Sequence, residues 1–120
     1  GRLCRFHLWE PNRFGINKAL PFEQAVQEHG QGNIRRAYTY KALNKLIQGS
    51  AADMTKKSML DLYKEGIIAH IQIHDELDLS VESPEQAKKV VEIMENAVKL
   101  DVPNKVDYES GKNWGDIYDK

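Results

Sequence analysis

Apolar residues recur at helical spacing through the middle of the chain and predict one long helix. The recurring positions are Leu43, Leu46, Ile47, Met54 and Leu62. Residues three and four apart share a helix face, so this spacing predicts an amphipathic helix over about residues 37–65, which Gly66 ends. Gly49 and the small residues 50–52 lie in its middle. Since glycine there costs about 1 kcal/mol relative to alanine, we expect another segment to pack closely against this stretch.

The next segment alternates between apolar and mainly polar residues and predicts a β-hairpin. Apolar residues stand at every second position of residues 67–73 and again from 77 to 81, which is the period of a strand with one buried face. The turn between the strands is His74-Asp75-Glu76. It lacks the Asn-Gly or Asp-Gly pair of common hairpin turns, which suggests that its shape serves a function.

A capping box, Ser83-Pro84-Glu85-Gln86, begins a second predicted helix with proline at its first position. This helix is expected to run to about Leu100, before Pro103, and a last edge strand is predicted over residues 104–110. Together these patterns predict an α+β fold that consists of a long helix, a β-hairpin with an acidic tip, a second helix and an edge strand.

The N-terminal segment, residues 1–33, is irregular in pattern. It allows an edge strand near residues 2–10, a short helix over 22–29 and an exposed loop at 30–33. The length of 120 residues suits one domain or a piece of one. We therefore predict a single domain over residues 1–120, with the core in residues 34–120.

Charge is unevenly distributed although the formal net charge is only −1. Residues 1–48 contain eight Lys or Arg and three Asp or Glu, which gives +5 and leaves −6 for the remainder. A basic part followed by an acidic part suits a phosphate-contacting surface next to a metal site. Ordinary variation of surface charge is the alternative interpretation.

Cysteine content and hydropathy indicate which cellular compartment the chain suits. Cys4 is the only cysteine, so neither an internal disulfide nor a cysteine zinc cluster is possible, and a reducing, cytoplasmic compartment is expected. No apolar run approaches the roughly 20 residues of a membrane span, so no membrane partner is expected. The first residue is Gly1 rather than Met, which suggests a processed, tagged or cut N-terminus.

The hairpin tip is the first candidate site. Two adjacent acids at a strand turn can hold a divalent cation through hard oxygen ligands, and Mg²⁺ usually takes only one or two protein carboxylates. Asp75 would be a ligand, with Glu76 as an outer or alternate one. His74 could be a metal ligand, a hydrogen-bond donor to substrate or a turn residue. A solvated acidic turn is the alternative.

The second candidate site is one face of the long helix. Lys41, Asn44 and Gln48 are spaced so that they share this face. One cation and two amides in a row suit contacts to the phosphates, sugars or base edges of a nucleic acid. The alternative is an ordinary solvated helix face.

Three segments of the chain, taken in order, resemble the C-terminal end of family A DNA polymerases, the bacterial DNA polymerase I type. They are "LNKLIQGSAADMTKKSM", "IQIHDELDLSV" and "MENAVKLDVPNKVDYESGKNW". The resemblance covers roughly residues 34–115, and the "QGSAAD" helix followed by the "HDEL" turn forms a specific combination. It implies a partial polymerase palm and an origin in bacteria or phage.

The resemblance also implies roles for the candidate residues. Asp75 would be one of two aspartates that hold the two catalytic Mg²⁺ ions, Glu76 would lie beside them, and His74 would contact the primer end. Asn44 and Gln48 would contact the minor groove of the primer-template. An arginine that often precedes this asparagine in the family is replaced here by Lys41 or Tyr40. A basic pair near the duplex would be formed by Arg35 and Arg36.

The second metal-binding aspartate and the nucleotide-binding fingers helix of the family do not occur in this sequence. We therefore expect a terminal palm fragment that is inactive alone. Its expected partners are primer-template DNA, a dNTP, and an upstream part with fingers, thumb and the rest of the palm in the same or another chain. The main alternative is a non-catalytic nucleic-acid-binding module derived from a palm. A metal-dependent nuclease fits less well, because no further clustered carboxylates or general base are present.

Overall fold

The computed structural model describes residues 3–16 and 18–118. Helices and two small antiparallel sheets alternate along the chain, which confirms the α+β class. The chain divides into two compact units, Gly1–Ser50 and Ala51–Lys120. In the described ranges no helix is both long and apolar enough to cross a membrane. Arg2, the first residue of the predicted N-terminal strand, lies outside the described residues.

The first unit is built on a short two-stranded sheet. Strand β1, Trp9–Pro11, pairs antiparallel with β2, Ile34–Arg36. Helix α1 spans Phe22–His29, as the sequence pattern predicts. Trp9 and Leu20 exchange backbone hydrogen bonds of 2.7 and 2.8 Å, which bring the chain before α1 back to the sheet. The edge strand that the sequence allowed near residues 2–10 is therefore formed only from Trp9 onward, and its partner β2 follows the segment predicted to be irregular.

The core of the first unit is small and partly polar. Ala25 of α1 and Ala37 after β2 are fully buried. The rings of Trp9 and Phe22 pack with centroids 5.2 Å apart. Glu10 is also buried, and its carboxylate accepts a hydrogen bond of 2.9 Å from Arg35 Nε. A buried carboxylate needs such a partner, so this ion pair belongs to the core of the unit.

The long helix, α2, begins five residues later than the sequence predicts. It spans Ala42–Lys64 and follows a 3-10 turn over Thr39–Lys41. The N–H of Ala37 donates a hydrogen bond of 2.9 Å to the carbonyl of Leu8. Ala37 therefore extends the backbone pairing of β2 and does not belong to the helix. Tyr38 then has a left-handed φ of 64°, which a right-handed helix cannot include.

The predicted buried face of the first half of α2 is exposed. Leu43, Leu46 and Ile47 are between 59% and 67% exposed. The small residues at 50–52 are exposed as well, so the expectation that another segment packs closely against them is wrong for this structure. Apolar periodicity reports which face of a helix is suited to burial, but it does not supply the surface that covers it.

The second unit contains the predicted hairpin, with shorter and more exposed strands than the sequence pattern suggests. Strand β3 spans Ile71–Ile73, and β4 spans Glu76–Asp78. They pair antiparallel, with Ile73 opposite Glu76, so Glu76 belongs to a strand and not to the turn. All of β3 is exposed, and only β4 is partly covered. The prediction of one buried apolar face is therefore wrong for β3.

The second helix of this unit, α3, spans Pro84–Asn96 and confirms the predicted cap. The Ser83 side chain accepts a hydrogen bond of 3.2 Å from the N–H of Gln86. The Gln86 side chain in turn accepts one of 2.6 Å from the N–H of Glu82, one residue before the cap. The helix ends four residues before Leu100, where it was expected to end.

One apolar cluster joins the elements of the second unit. Its buried members are Leu62 near the end of α2, Ile67 in the segment after α2, and Val90 of α3. Partly buried side chains pack against it from the hairpin and from α3, namely Leu77, Leu79, Ile93 and Met94. This cluster holds β4 against the two helices.

The predicted last strand is not formed. Residues 103–111 have no regular secondary structure, and among the described residues of this unit the sheet consists of β3 and β4. The segment is fixed instead by a side chain, because Glu95 Oε1 accepts a hydrogen bond of 3.0 Å from the N–H of Val106. A strand needs a neighbouring backbone edge, and the side-chain bond replaces it here. Helix α4, Gly115–Tyr118, follows.

The apolar cluster makes a direct prediction for stability. Leu62 is fully buried, so Leu62→Ala should lower the free energy of unfolding by about 2–5 kcal/mol in urea titrations. Leu60 lies on the same helix but is about half exposed, so Leu60→Ala should cost well under half as much. Equal losses for the two variants would show that this cluster is not the core of the unit.

Candidate metal-binding turn and nucleic-acid interface

His74 and Asp75 form a two-residue turn at the tip of the hairpin. The flanking residues, Ile73 and Glu76, are paired with each other. His74 has a left-handed φ of 50°, as the first position of the common two-residue hairpin turns requires. Histidine is among the non-glycine residues enriched in this conformation. The Gln72 side chain donates a hydrogen bond of 2.7 Å to the His74 carbonyl, which further fixes the turn.

This turn exposes the carboxylate that the sequence singles out. Asp75 stands at the second turn position and is exposed, and Glu76, at the first position of β4, is exposed too. Their oxygens are of the kind that Mg²⁺ prefers. Within the described residues, however, no group of three or more His, Cys, Asp or Glu side chains could hold a metal ion. The donor chemistry therefore fits part of a magnesium site, and Mg²⁺ binding by Asp75 and Glu76 stays a prediction.

Asp78 joins these acids, and sequence reasoning gave it no role. It lies two residues after Glu76 on the same strand, so both side chains point to one face of the hairpin. Burial, together with a hydrogen bond and the negative charge from Glu76, raises the pKa of the Asp78 carboxyl. In the described part of the chain, its Oδ2 is buried without a hydrogen-bond partner. The i, i+2 spacing of Glu76 and Asp78, at the end of the predicted turn and the start of the next strand, was the available signal.

The acids lie along an open groove of the second unit. The groove has a volume of about 1110 Å³ and is lined by the second half of α2, the hairpin, α3 and the segment after α3. Asp75, Glu76 and Asp78 all line it. A solute that enters the groove therefore meets carboxylates on the hairpin and apolar side chains such as Val90 and Met94 on α3.

The predicted nucleic-acid face lies in the first unit. Asn44 and Gln48 are exposed along the first half of α2, and Lys41 ends the 3-10 turn that leads into it. The Lys41 ammonium lies 5.0 Å from the ring centroid of Tyr38 and 5.7 Å from that of Tyr40. Polar groups that could contact a nucleic acid are thus accessible, and DNA contact by them stays a prediction.

The basic pair of β2 is engaged within the first unit. Arg35 forms the ion pair with the buried Glu10 described above. The guanidinium of Arg36 lies 4.8 Å from the Trp9 ring centroid and donates a hydrogen bond of 2.6 Å to the carbonyl of Phe6. Both side chains therefore support the sheet, which sequence reasoning did not anticipate. A contact to DNA would be an additional role.

Comparison with known proteins identifies the family. The sequence model of DNA polymerase family A matches residues 16–116. The chain belongs to DNA polymerase family A. Family A relatives include a DNA-directed DNA polymerase of Pseudomonas phage M6, which is 44% identical over 65% of this chain. DNA polymerase I of Bacillus caldotenax is 44% identical over 70% of the chain, and the thermostable DNA polymerase I of Thermus filiformis is 42% identical over 68%.

The family A match covers only a small part of each relative. The aligned region amounts to 12% of the phage polymerase and 11% of the two bacterial ones. No solved structure matches the chain. Membership of the polymerase family is therefore established for a short segment that includes both candidate sites.

The raised pKa of Asp78 predicts a pH-dependent stability. The folded chain holds the Asp78 proton more strongly than the unfolded chain does. The contribution of Asp78 to the free energy of unfolding therefore falls as pH rises from about 3.8, the ordinary pKa, through the raised pKa of the folded state. Asp78→Asn cannot ionise and should therefore unfold at higher urea concentration than the wild type at pH 7. The difference should vanish near pH 3, where the carboxyl is protonated in both states.

Asp101→Asn removes one negative charge at an exposed position and serves as the control. It should change stability little at either pH. If Asp78→Asn were no more stable than the wild type at pH 7, burial and the neighbouring Glu76 would not raise the pKa of the Asp78 carboxyl in solution.

Proposed function

We propose that this chain is the C-terminal palm part of a template-directed DNA polymerase. Family membership and the names of the relatives support a polymerase part. The observation that carries the proposal is the hairpin tip, where a tight turn with a left-handed His74 presents the exposed Asp75 beside Glu76. The two preceding amides, Asn44 and Gln48, stand exposed on α2 of the same chain.

In this function the carboxylates of the hairpin would hold a metal ion for nucleotidyl transfer. Asp75 would hold Mg²⁺, with Glu76 as an alternate ligand, and the metal would supply positive charge to stabilise the developing negative charge on the reacting phosphate. A short turn on paired strands keeps the Asp75 carboxylate in one place, which such a site requires. His74 would donate a hydrogen bond to the primer end from the position next to it.

The helix face would position the nucleic acid. Carboxamide side chains can donate and accept hydrogen bonds at base edges in the minor groove, where every base pair offers acceptors. Asn44 and Gln48 would make these contacts, and Lys41 would contact a phosphate. Such contacts fix the register of a duplex without selecting its sequence, which suits an enzyme that must accept any template.

The proposed activity needs further protein. In the described residues Asp75 and Glu76 do not belong to a group large enough to hold a metal alone, and the relatives are eight to nine times longer than the aligned region. The remainder of the palm, the fingers that bind the dNTP and the thumb would come from the same or another chain. We therefore expect no primer extension by this chain alone.

Reconstituted primer extension tests the role of Asp75. The chain is mixed with a separately produced upstream part of a family A polymerase, and incorporation is measured with Mg²⁺. Asp75→Asn keeps the size of the side chain but removes its charge, so turnover should fall about 10³-fold or more, while primer-template affinity changes little. Glu76→Gln should have a milder effect.

Asp101→Asn again removes a charge far along the sequence from the turn and should extend primers at the wild-type rate. Near wild-type turnover by Asp75→Asn would favour the alternative function, a nucleic-acid-binding module without polymerase chemistry. Incorporation by the pure chain alone would contradict the need for an upstream part.

Duplex binding tests the helix face separately from catalysis. Gln48→Ala should weaken binding of a primer-template about fivefold, the effect of one lost hydrogen bond. Affinity should fall as salt concentration rises and should not depend on sequence, because phosphate and minor-groove contacts dominate. Gln31→Ala, at an exposed position of the first unit, is the matched control. Binding that is unaffected by Gln48→Ala or by salt would exclude this face as the contact.

A further inference from the structure

A stretch that lies almost entirely in the first unit combines basic and aromatic residues without any acid. The sequence contains no Asp or Glu from residue 29 to residue 52, but it contains four Lys or Arg and two tyrosines. In the structure this stretch includes β2, the 3-10 turn and the first half of α2. Two of its cations, Arg35 and Arg36, serve the sheet as described above. The other two, Lys41 and Lys45, have a different environment.

These two lysines lie beside aromatic rings rather than acids. The ammonium of Lys41 lies near the rings of Tyr38 and Tyr40, and that of Lys45 lies 6.0 Å from the ring centroid of Phe6. Neither lysine forms an ion pair with any residue that the structure describes. Their positive charges therefore remain available to an anionic ligand.

The backbone presents one of these rings to solvent. The left-handed Tyr38 turns the chain out of the sheet and into the 3-10 turn. Tyr40, in the middle of that turn, is 79% exposed, whereas Tyr38 is about half as exposed. An aromatic side chain exposed to this extent beside an unpaired cation is a surface on which another planar group can stack.

We propose that Tyr40, Lys41 and Lys45 form a binding site for an unpaired nucleotide of a DNA strand. The Tyr40 ring would stack on the base, and the two ammonium groups would contact the flanking phosphates. Proteins that bind single strands combine a positively charged surface with aromatic side chains in this way. A base within a duplex has both faces covered by its neighbours, so the site would take a base from a single strand or overhang.

Charge favours DNA over a protein partner at this site. The nearby apolar residues Leu43, Leu46 and Ile47 are exposed and would suit an apolar surface. Tyr40, however, lies beside the Lys41 ammonium, and Lys45 follows in the same stretch, which contains no acid. This excess of positive charge attracts a polyanion. The inference rests on the proposed function, since it extends the contact with primer-template DNA to an unpaired strand.

Binding of two matched oligonucleotides tests the proposal. One is an end-labelled oligothymidine of about 12 nucleotides. The other has the same length and phosphates but abasic sugars. Fluorescence anisotropy with the 120-residue chain should show about tenfold tighter binding of the oligothymidine, because only this strand has bases to stack. Tyr40→Ala should reduce its affinity about tenfold, to the level of the abasic strand, and Tyr40→Phe should keep the wild-type affinity.

Two control variants separate stacking from charge and from folding. Tyr63, on the part of α2 that belongs to the second unit, is 66% exposed, so Tyr63→Ala removes a similarly exposed ring and should bind both strands as the wild type does. Lys41→Gln should weaken both strands equally. Because Tyr40 is exposed, Tyr40→Ala should retain the wild-type circular dichroism spectrum.

Equal wild-type affinity for the two strands, or unchanged binding by Tyr40→Ala, would overturn the proposal. If Lys41→Gln still weakened binding in that case, the surface would contact phosphates alone, and duplex contact by Gln48 would be unaffected. If Tyr40→Ala instead prevented reconstitution with the upstream polymerase part and left DNA binding intact, the surface would be a protein contact. Failure of the proposed function itself would appear in the Asp75→Asn extension assay, which does not involve Tyr40.

Discussion

The second unit depends on the apolar cluster around Leu62, because this cluster decides which face of β4 packs against the two helices. Successive side chains of a strand point to opposite faces. Leu77 and Leu79 pack toward the cluster, so the acids that alternate with them, Glu76 and Asp78, share the other face. The position of the carboxylates is therefore a consequence of packing, and burial, together with the neighbouring Glu76, raises the pKa of the Asp78 carboxyl.

The sequence predicted those elements whose signals are local. The cap at Ser83, helix α1 and the hairpin around residue 74 could be recognised from a few neighbouring residues. Predictions that depended on distant segments failed. Ala37, where α2 was expected to begin, is hydrogen-bonded to Leu8 instead, and within the described residues the predicted last strand has no backbone edge to join. Neither fact can be inferred from residues close in sequence.

The same distinction applies to the candidate sites. The position of Asp75 in the hairpin turn could be predicted, because the turn is defined by the strands on either side of it. The partners of the basic pair on β2 could not be predicted, since Glu10 and Trp9 precede that pair by about 25 residues and only the sheet brings them together. Asp78 was missed for another reason. Its pKa is raised mainly by burial of the side chain, and burial cannot be read from the residue type alone.

The left-handed backbone at His74 also limits how this position can evolve. Its φ of 50° is readily accessible to glycine and, at moderate cost, to asparagine, aspartate and histidine, but it is unfavourable for branched side chains. Genetic drift at residue 74 is thus confined to a few amino acids by backbone geometry alone, whatever the side chain does.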